Sequence, residues 1–268
     1  AMNLCMATTF LVCFAPTLEM TQDFETLVYE AQLQPFSGWD FSYLAGRYLE
    51  ERPSWDYRSL VLERMKGVKS MLDLGTGGGE FLSSLQPLPK ETFATEAYPP
   101  NVPIATGRLE PLGIRLLQAS SDDGLPFEDR FFELVIDRHE SFDAAEVFRI
   151  LKPGGRFVTQ QVGPQNNREI SDLFQVSSPY RWTLEIGLAE LEDAGFSIIQ
   201  AKDELHRAAF SDVGALVYYL KAIPWEVPGF SAERNDAQLR SAHTLTRKNG
   251  RFEVTNHRCL IEAAKPKQ

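Results

Sequence analysis

Residues 71–80 read Met-Leu-Asp-Leu-Gly-Thr-Gly-Gly-Gly-Glu. A short apolar run (Val68, Met71, Leu72, Leu74) enters a glycine-rich turn, and a helical pattern starts at Glu80 and Phe81. Strand, tight loop and helix in that order point to an α/β chain whose loop cradles a nucleotide-like ligand. Gly75, Gly77, Gly78 and Gly79 carry no Cβ, so the backbone can take positive φ and approach a ligand closely. The helix that follows aims its N-terminal N–H groups and positive dipole end at the loop. No Lys-Ser/Thr pair follows, so this is not a phosphate-binding P-loop. The position three after Gly77 is Glu80, so the full Gly-x-Gly-x-x-Gly of dinucleotide enzymes is also missing. Asp73, two residues before the first glycine, would repel a pyrophosphate and suits a ligand that carries a cation.

Four further motifs follow in order. Phe93-Ala94-Thr95-Glu96 is a strand-like run ending in an acid about 20 residues beyond the glycines, where α/β folds bind ribose hydroxyls. Ile114 to Gln118 reads as a strand running into a polar loop, Ala119–Phe127, that ends Leu-Pro-Phe. Phe132-Glu133-Leu134-Val135-Ile136-Asp137 is an apolar strand followed by Arg138-His139-Glu140-Ser141. Leu151-Lys152-Pro153-Gly154-Gly155 ends a helix predicted over about 142–151 and turns the chain into a strand over Phe157–Val162.

Over residues 68–162 this series resembles the Rossmann-like class I S-adenosylmethionine (SAM)-dependent methyltransferases. Their first motif is an acid, an apolar residue, then Gly-x-Gly-x-Gly. Outside the shared motifs, Pro35–Phe41, Arg138–Ser141, Gln160–Gly163, Asp212–Leu216 and Ile223–Trp225 are similar to a bacterial branch of methyltransferase-domain proteins to which no substrate attaches. The resemblance implies a doubly wound, mostly parallel seven-stranded sheet with helices on both faces. It also implies SAM as cofactor and S-adenosylhomocysteine (SAH) as product. The cofactor set it implies is Asp73, Gly75, Thr76, Gly77, Gly79, Glu96, Ala97, Ser121, Asp122, Asp137 and Arg138. The family places an acid four residues before the Leu of Leu-Pro-Phe; this chain has Ser121 there, which leaves the adenine contact between Asp122 and Ser121. Both, with Asp123, can instead simply turn the chain.

The rest of the chain is read around that core. Helices are predicted over 22–34, Trp39–Glu51 and Asp56–Met65, forming an N-terminal cap over 20–66. The SAM-binding core spans 67–208. A helical insertion over 209–250 (Asp212–Ile223 and Ala232–Lys248) precedes a last strand and tail over 251–268. A strand reached by so long a connection suits the reversed last strand of this fold. Trp39, Tyr43, Gln161 and Trp225 are the predicted acceptor-pocket residues, though aromatics such as these also serve as core contacts. His139 and Glu140, after the fourth strand of the core, are the candidate catalytic groups: a histidine titrates near neutrality. Each has a structural alternative, a hydrogen bond within the turn or a cap on the next helix.

Composition narrows the partners. The net charge is −10 and the sequence pI about 5.0, which argues against nonspecific nucleic-acid binding. Three widely spaced cysteines without Cys-x-x-Cys, and four histidines without His-x-x-x-His, suggest neither a disulfide framework nor a metal site. Leu4 to Pro16 is apolar but too short to span a bilayer. Residues 1–19 read as an upstream extension, with Met20 as the natural start. The chain reads as a cytoplasmic methyltransferase, monomeric or homodimeric, for a small-molecule acceptor. The alternatives are an RNA or protein methyltransferase, or a SAM-binding protein without catalysis.

Overall fold

The computed structural model describes residues 23–267; the expectation for residues 1–19 lies outside them. β2 (Ser70–Leu74) is buried at every position, as a parallel strand covered on both faces must be. It pairs in parallel with β3 (Glu91–Thr95) on one side and β5 (Phe132–Arg138) on the other. β4 (Arg115–Leu117) extends the β3 edge, and β6 (Leu151–Val162) pairs with β5. β7 (Ser197–Phe210) and β8 (Phe252–Ala264) complete the core, with β8 antiparallel between β6 and β7. The reversed last strand is therefore present.

The sheet has eight strands rather than seven, in the order β1-β7-β8-β6-β5-β2-β3-β4. The extra one, β1 (Tyr48–Glu50), comes from the stretch predicted as a helix over Trp39–Glu51 and pairs antiparallel with Ala208–Phe210. Only a short 3-10 turn, Ser42–Leu44, forms in that stretch. Gly46 at φ +72° stops it, and the edge of β7 supplies the hydrogen bonds a helix would have made internally.

Helices cover both faces. α2 (Tyr57–Met65), α3 (Glu80–Ser84) and α4 (Val102–Leu109) pack with Met71, Ile136, Val158 and Leu260 on one side. α5 (Ala144–Ile150) and α7 (Leu184–Asp193) pack with Leu72, Val135, Phe157 and Ile261 on the other. A third apolar cluster joins α1 (Phe24–Leu33), α6 (Arg168–Phe174), α8 (Val213–Ala222) and α9 (Asp236–Asn249) to Phe210 and Val254. This layer unites the predicted cap with the insertion. Arg47 clamps it by holding Asp212, the N-cap of α8, through Nε at 2.9 Å and through Nη2.

Candidate active site

The chain order departs in opposite directions from β2, to β3 and to β5. In open α/β sheets ligands bind beyond the carboxyl ends of strands at such a switch point. The glycine loop lies there. Gly75, Gly77 and Gly79 have φ of +60°, +63° and +80°, which L side chains rarely adopt. Thr76 N–H donates to Thr95 O at 2.8 Å, which ties the loop to β3. Arg108 on α4 donates to Gly78 O and pairs with Glu80. α3 has only five residues, so the loop's own N–H groups, more than the helix dipole expected from sequence, set the local field.

Two carboxylates flank the loop. Asp73 is 3% exposed, and burial pushes its pKa up to about 7 against the pull of Thr76 and Arg138. Glu96 ends β3, and its Oε1 accepts Tyr98 N–H at 2.7 Å. Burial raises it, while N–H groups of Tyr98, Gly77 and Ala97 and the Asn101 side chain pull the other way. Ala97 itself is exposed beside it.

The turn after β5 holds the candidate catalytic residues. Asp137 does not face the groove as predicted. It is fully buried, with Oδ1 accepting Glu140 N–H at 3.1 Å and Oδ2 accepting Thr159 Oγ1 at 3.1 Å and Gln161 Nε2 at 2.8 Å. Burial raises its pKa well above the usual carboxylate range. Gln161, predicted to line the acceptor pocket, spends its amide on Asp137, Thr159 and Glu140 O. Both residues brace the turn. Tyr57 braces it from α2, donating to Asp137 O at 2.7 Å.

His139 adopts φ +70°. Trp55 Nε1, a donor only, fixes the Gln160 carbonyl at 2.8 Å. Gln160 Nε2 therefore donates to His139 Nε2 at 3.1 Å, which assigns the proton to Nδ1. The ring is open to solvent on one side, but the protein surrounding it, with Arg258 and Arg138, holds its pKa well below the usual value. The lone pair expected to accept a proton is already engaged. Arg138 is exposed, its guanidinium 5.2 Å from the Phe81 ring centre.

Glu140 is better placed. Its side chain lies against Gly75, where a Cβ would overlap it. Burial, then Glu96 and Asp122, raise its pKa. Asp122 is exposed, whereas Ser121 is buried and spends its hydroxyl on Asp143 N–H (3.0 Å) and Ser141 O (3.4 Å). Of the two adenine candidates, Asp122 is the exposed one, its Oδ2 accepting Ser141 Oγ at 3.5 Å.

Trp39 and Trp225 meet edge to face at 5.9 Å, and Trp39 lies against Gly77. Both are partly exposed at this mouth. Tyr43, predicted beside them, is instead packed against Tyr218 at 4.7 Å and under Arg47 at 4.4 Å, inside the helical layer. Sequence reading missed Trp55, Tyr57, Gln160 and Asn101. Each acts by holding a neighbour, and only three-dimensional contact reveals that.

Asp203, His257 and Cys259 bring three ligand atoms within 4.8 Å of one another. Gln165 N–H donates to His257 Nδ1 at 3.2 Å, so Nε2 carries the proton and donates to Asp203 at 2.5 Å. Burial pushes the Cys259 thiol up to about 12. As arranged, both ring nitrogens of His257 are engaged and the Cys259 thiol keeps its proton, so neither is set to ligate a metal. A recess of about 450 Å³ opens at the opposite end of the sheet, but its Arg64, Arg156 and Lys152 are paired with Glu262 and Glu133.

Residues 72–159 match the family model described as "Methyltransferase domain". Demethylmenaquinone methyltransferase of Thermus thermophilus is 31% identical over 121 residues, 41% of this chain and 54% of that protein. The chain thus spans about half the length of the curated relative it matches. Among solved structures, a proposed methyltransferase from Bacillus halodurans C-125 superimposes with a TM-score of 0.59 at 20% identity, over 79% of this chain and 99% of that one. The YcgJ protein of Bacillus subtilis gives 0.56 at 18% identity, over 79% and 99%. SpnF, a (4+2)-cyclase, gives 0.51 at 18% identity, over 90% and 93%. No described helix is long and apolar enough to cross a membrane.

Proposed function

From the match of residues 72–159 to a methyltransferase-domain model, we propose that the protein transfers a methyl group from SAM to a small-molecule acceptor. One observation carries the cofactor assignment. Asp73 and Glu96, both buried and raised, flank a loop whose three positive-φ glycines put bare Cα atoms at the carboxyl end of β2. Asp73 needs a cation to repay its burial, and the α-ammonium of SAM is one. Glu96 needs hydroxyl donors, and the ribose has two. Side chains at 75 or 77 would overlap Glu140 or Trp39, so the loop is built for close approach from that side.

SAM when bound supplies a methyl group on a sulfonium, displaced in line by a nucleophile. The chain's own part is to align that nucleophile, exclude water and, for an O–H or N–H acceptor, take a proton. Glu140, with its raised pKa beside Gly75, is the residue assigned to that proton. His139 holds the turn in place. The edge-to-face pair Trp39 and Trp225 closes the mouth with apolar surface, which favours a small acceptor over a polymer.

Titration calorimetry with SAM and SAH tests the cofactor site. Micromolar binding by the parent protein, lost in Asp73→Ala and Glu96→Ala, is the expected result. Folded protein that binds neither compound overturns the reading. Labelled SAM with small acceptors, polymers and no acceptor then separates transfer to a small molecule from the alternatives.

A further inference from the structure

We propose that Arg258 and Glu226 are the two poles of the acceptor site, which takes a small molecule bearing a carboxylate with a hydrogen-bond donor next to it. This deepens the methyl-transfer reading and rests on it. Arg258 stands on β8 opposite Val162, at the carboxyl end of β6. Only Nη1 is engaged, with Asn166 Oδ1 at 2.6 Å and His257 O at 3.0 Å. Nε and Nη2 hold no hydrogen bond, and no carboxylate pairs with the guanidinium, among the described residues. Glu226 acts on this half-buried guanidinium through its field and not by contact, so a ligand would complete the two free donors.

The next residue along, Asn167, binds the other pole. Its Nδ2 donates to Glu226 Oε1 at 2.5 Å, and Tyr180 donates to the same oxygen at 2.7 Å. Glu226 and Asn167 have no exposed surface. Glu226 Oε2 and Asn167 Oδ1 are nevertheless without any donor. Buried acceptors are nearly always satisfied, so two orphans on adjoining groups call for a donor from outside the chain. Tyr48 stacks on Tyr219 at 5.9 Å beside Glu226, and its hydroxyl is spent on Asn256 at 2.9 Å.

Glu226 is tied to the reaction centre through its neighbour in the chain. Glu226 follows Trp225, which meets Trp39 over Gly77. The charge of Arg258 reaches His139, Tyr180 and Glu226 alike. Its two spare donors suit the planar fork of a carboxylate. A phosphate would set a second negative charge facing Glu226, and so fits less well.

The test uses the full chain saturated with SAH. Calorimetry compares glycolate with glycolamide, and 2-hydroxybenzoate with 2-hydroxybenzamide and benzoate. At least one carboxylate is expected to bind tenfold or more tightly than its own amide. Arg258→Met should erase that preference and Arg258→Lys should keep part of it. Glu226→Gln should remove the advantage of 2-hydroxybenzoate over benzoate. The proposal falls if neither carboxylate outbinds its amide, or if the preference survives in Arg258→Met. SAH affinity, measured on the same preparations, separates the failures. Lost SAH binding by the parent protein sinks the methyl-transfer reading, whereas normal SAH binding without carboxylate preference sinks only the Arg258–Glu226 acceptor site.

Discussion

Asp73 shows how a single residue can weaken the fold to make a site. Its pKa is about 7 in the folded protein against 3.8 for the free side chain, so the native state binds the extra proton. Stability from this group is therefore highest near pH 4, falls as pH rises toward 7, and stays low above it. Asp73→Asn removes the buried charge. At pH 8 it should stabilise the SAM-free protein by roughly 2–4 kcal/mol, a gain that shrinks as the pH falls below 7. Urea unfolding at pH 8 and pH 5 checks this, and a variant less stable at pH 8 than the parent contradicts it. The same variant should lose SAH binding, because an amide does not neutralise an ammonium. Gly77 makes the complementary point about backbone. Its φ of +63° and its contact with Trp39 leave no room for a Cβ. Gly77→Ala should cost about 1–2 kcal/mol for the left-handed conformation and weaken SAH binding at least tenfold, read by thermal melting and calorimetry together. The glycine pattern and both acids were legible in the sequence because their chemistry depends on local order. The role of His139 was not. It is set by Trp55 and Gln160, respectively 84 and 21 residues away in a chain that had to fold before they could meet.

Among the elements, those with a strong local pattern were legible and those made by pairing were not. The helices at 57–65, 184–193 and 213–222 carry regular apolar faces and caps at Asp56, Thr183 and Asp212, and the sequence marks all three. β1 was read as helix because Trp39, Tyr43, Ala45, Gly46 and Leu49 imitate helical spacing. Its strand conformation comes from the free edge of β7, which no local pattern announces. The 35–41 segment ahead of it is the element whose movement matters most. Trp39 rests on Gly77, and a Cβ built on Gly38 would stand 3.5 Å from Gly78 Cα, so the segment covers the glycine loop directly. A ligand seated on that loop must move the indole. SAH should therefore shift or quench the tryptophan emission of the parent protein. Trp39→Phe, which leaves Trp55, Trp182 and Trp225, should lose most of that signal while still binding SAH. Unchanged emission in a protein that calorimetry shows to bind SAH would mean that the segment stays put and the cofactor enters from the Asp122 side.

At the scale of the whole molecule, acidity is concentrated where the cofactor reading needs it. The net charge of −10 says only that the surface repels polyanions. Within the fold, however, Asp73, Glu96 and Glu140 are all raised by burial, and neighbouring carboxylates add to it at Asp73 and Glu140. Asp73, at about 7, stores a proton that a cationic ligand should expel. An ammonium beside Asp73 lowers its pKa from about 7, and ribose hydroxyls lower that of Glu96 by hydrogen bonding to the ionised form. Binding of SAH near pH 7 should thus release about half a proton or more, since Asp73 is then near half-protonated in the free protein. Affinity should rise with pH up to about 7 and level off above it, where Asp73 is already ionised. Titration calorimetry in phosphate and in Tris at the same pH reads the release directly, because the two buffers absorb protons with different heats. Equal enthalpies in both buffers would mean that Asp73 is ionised before the ligand arrives. The stability gain expected of Asp73→Asn would then vanish as well, since both effects have the same origin in one buried carboxylate.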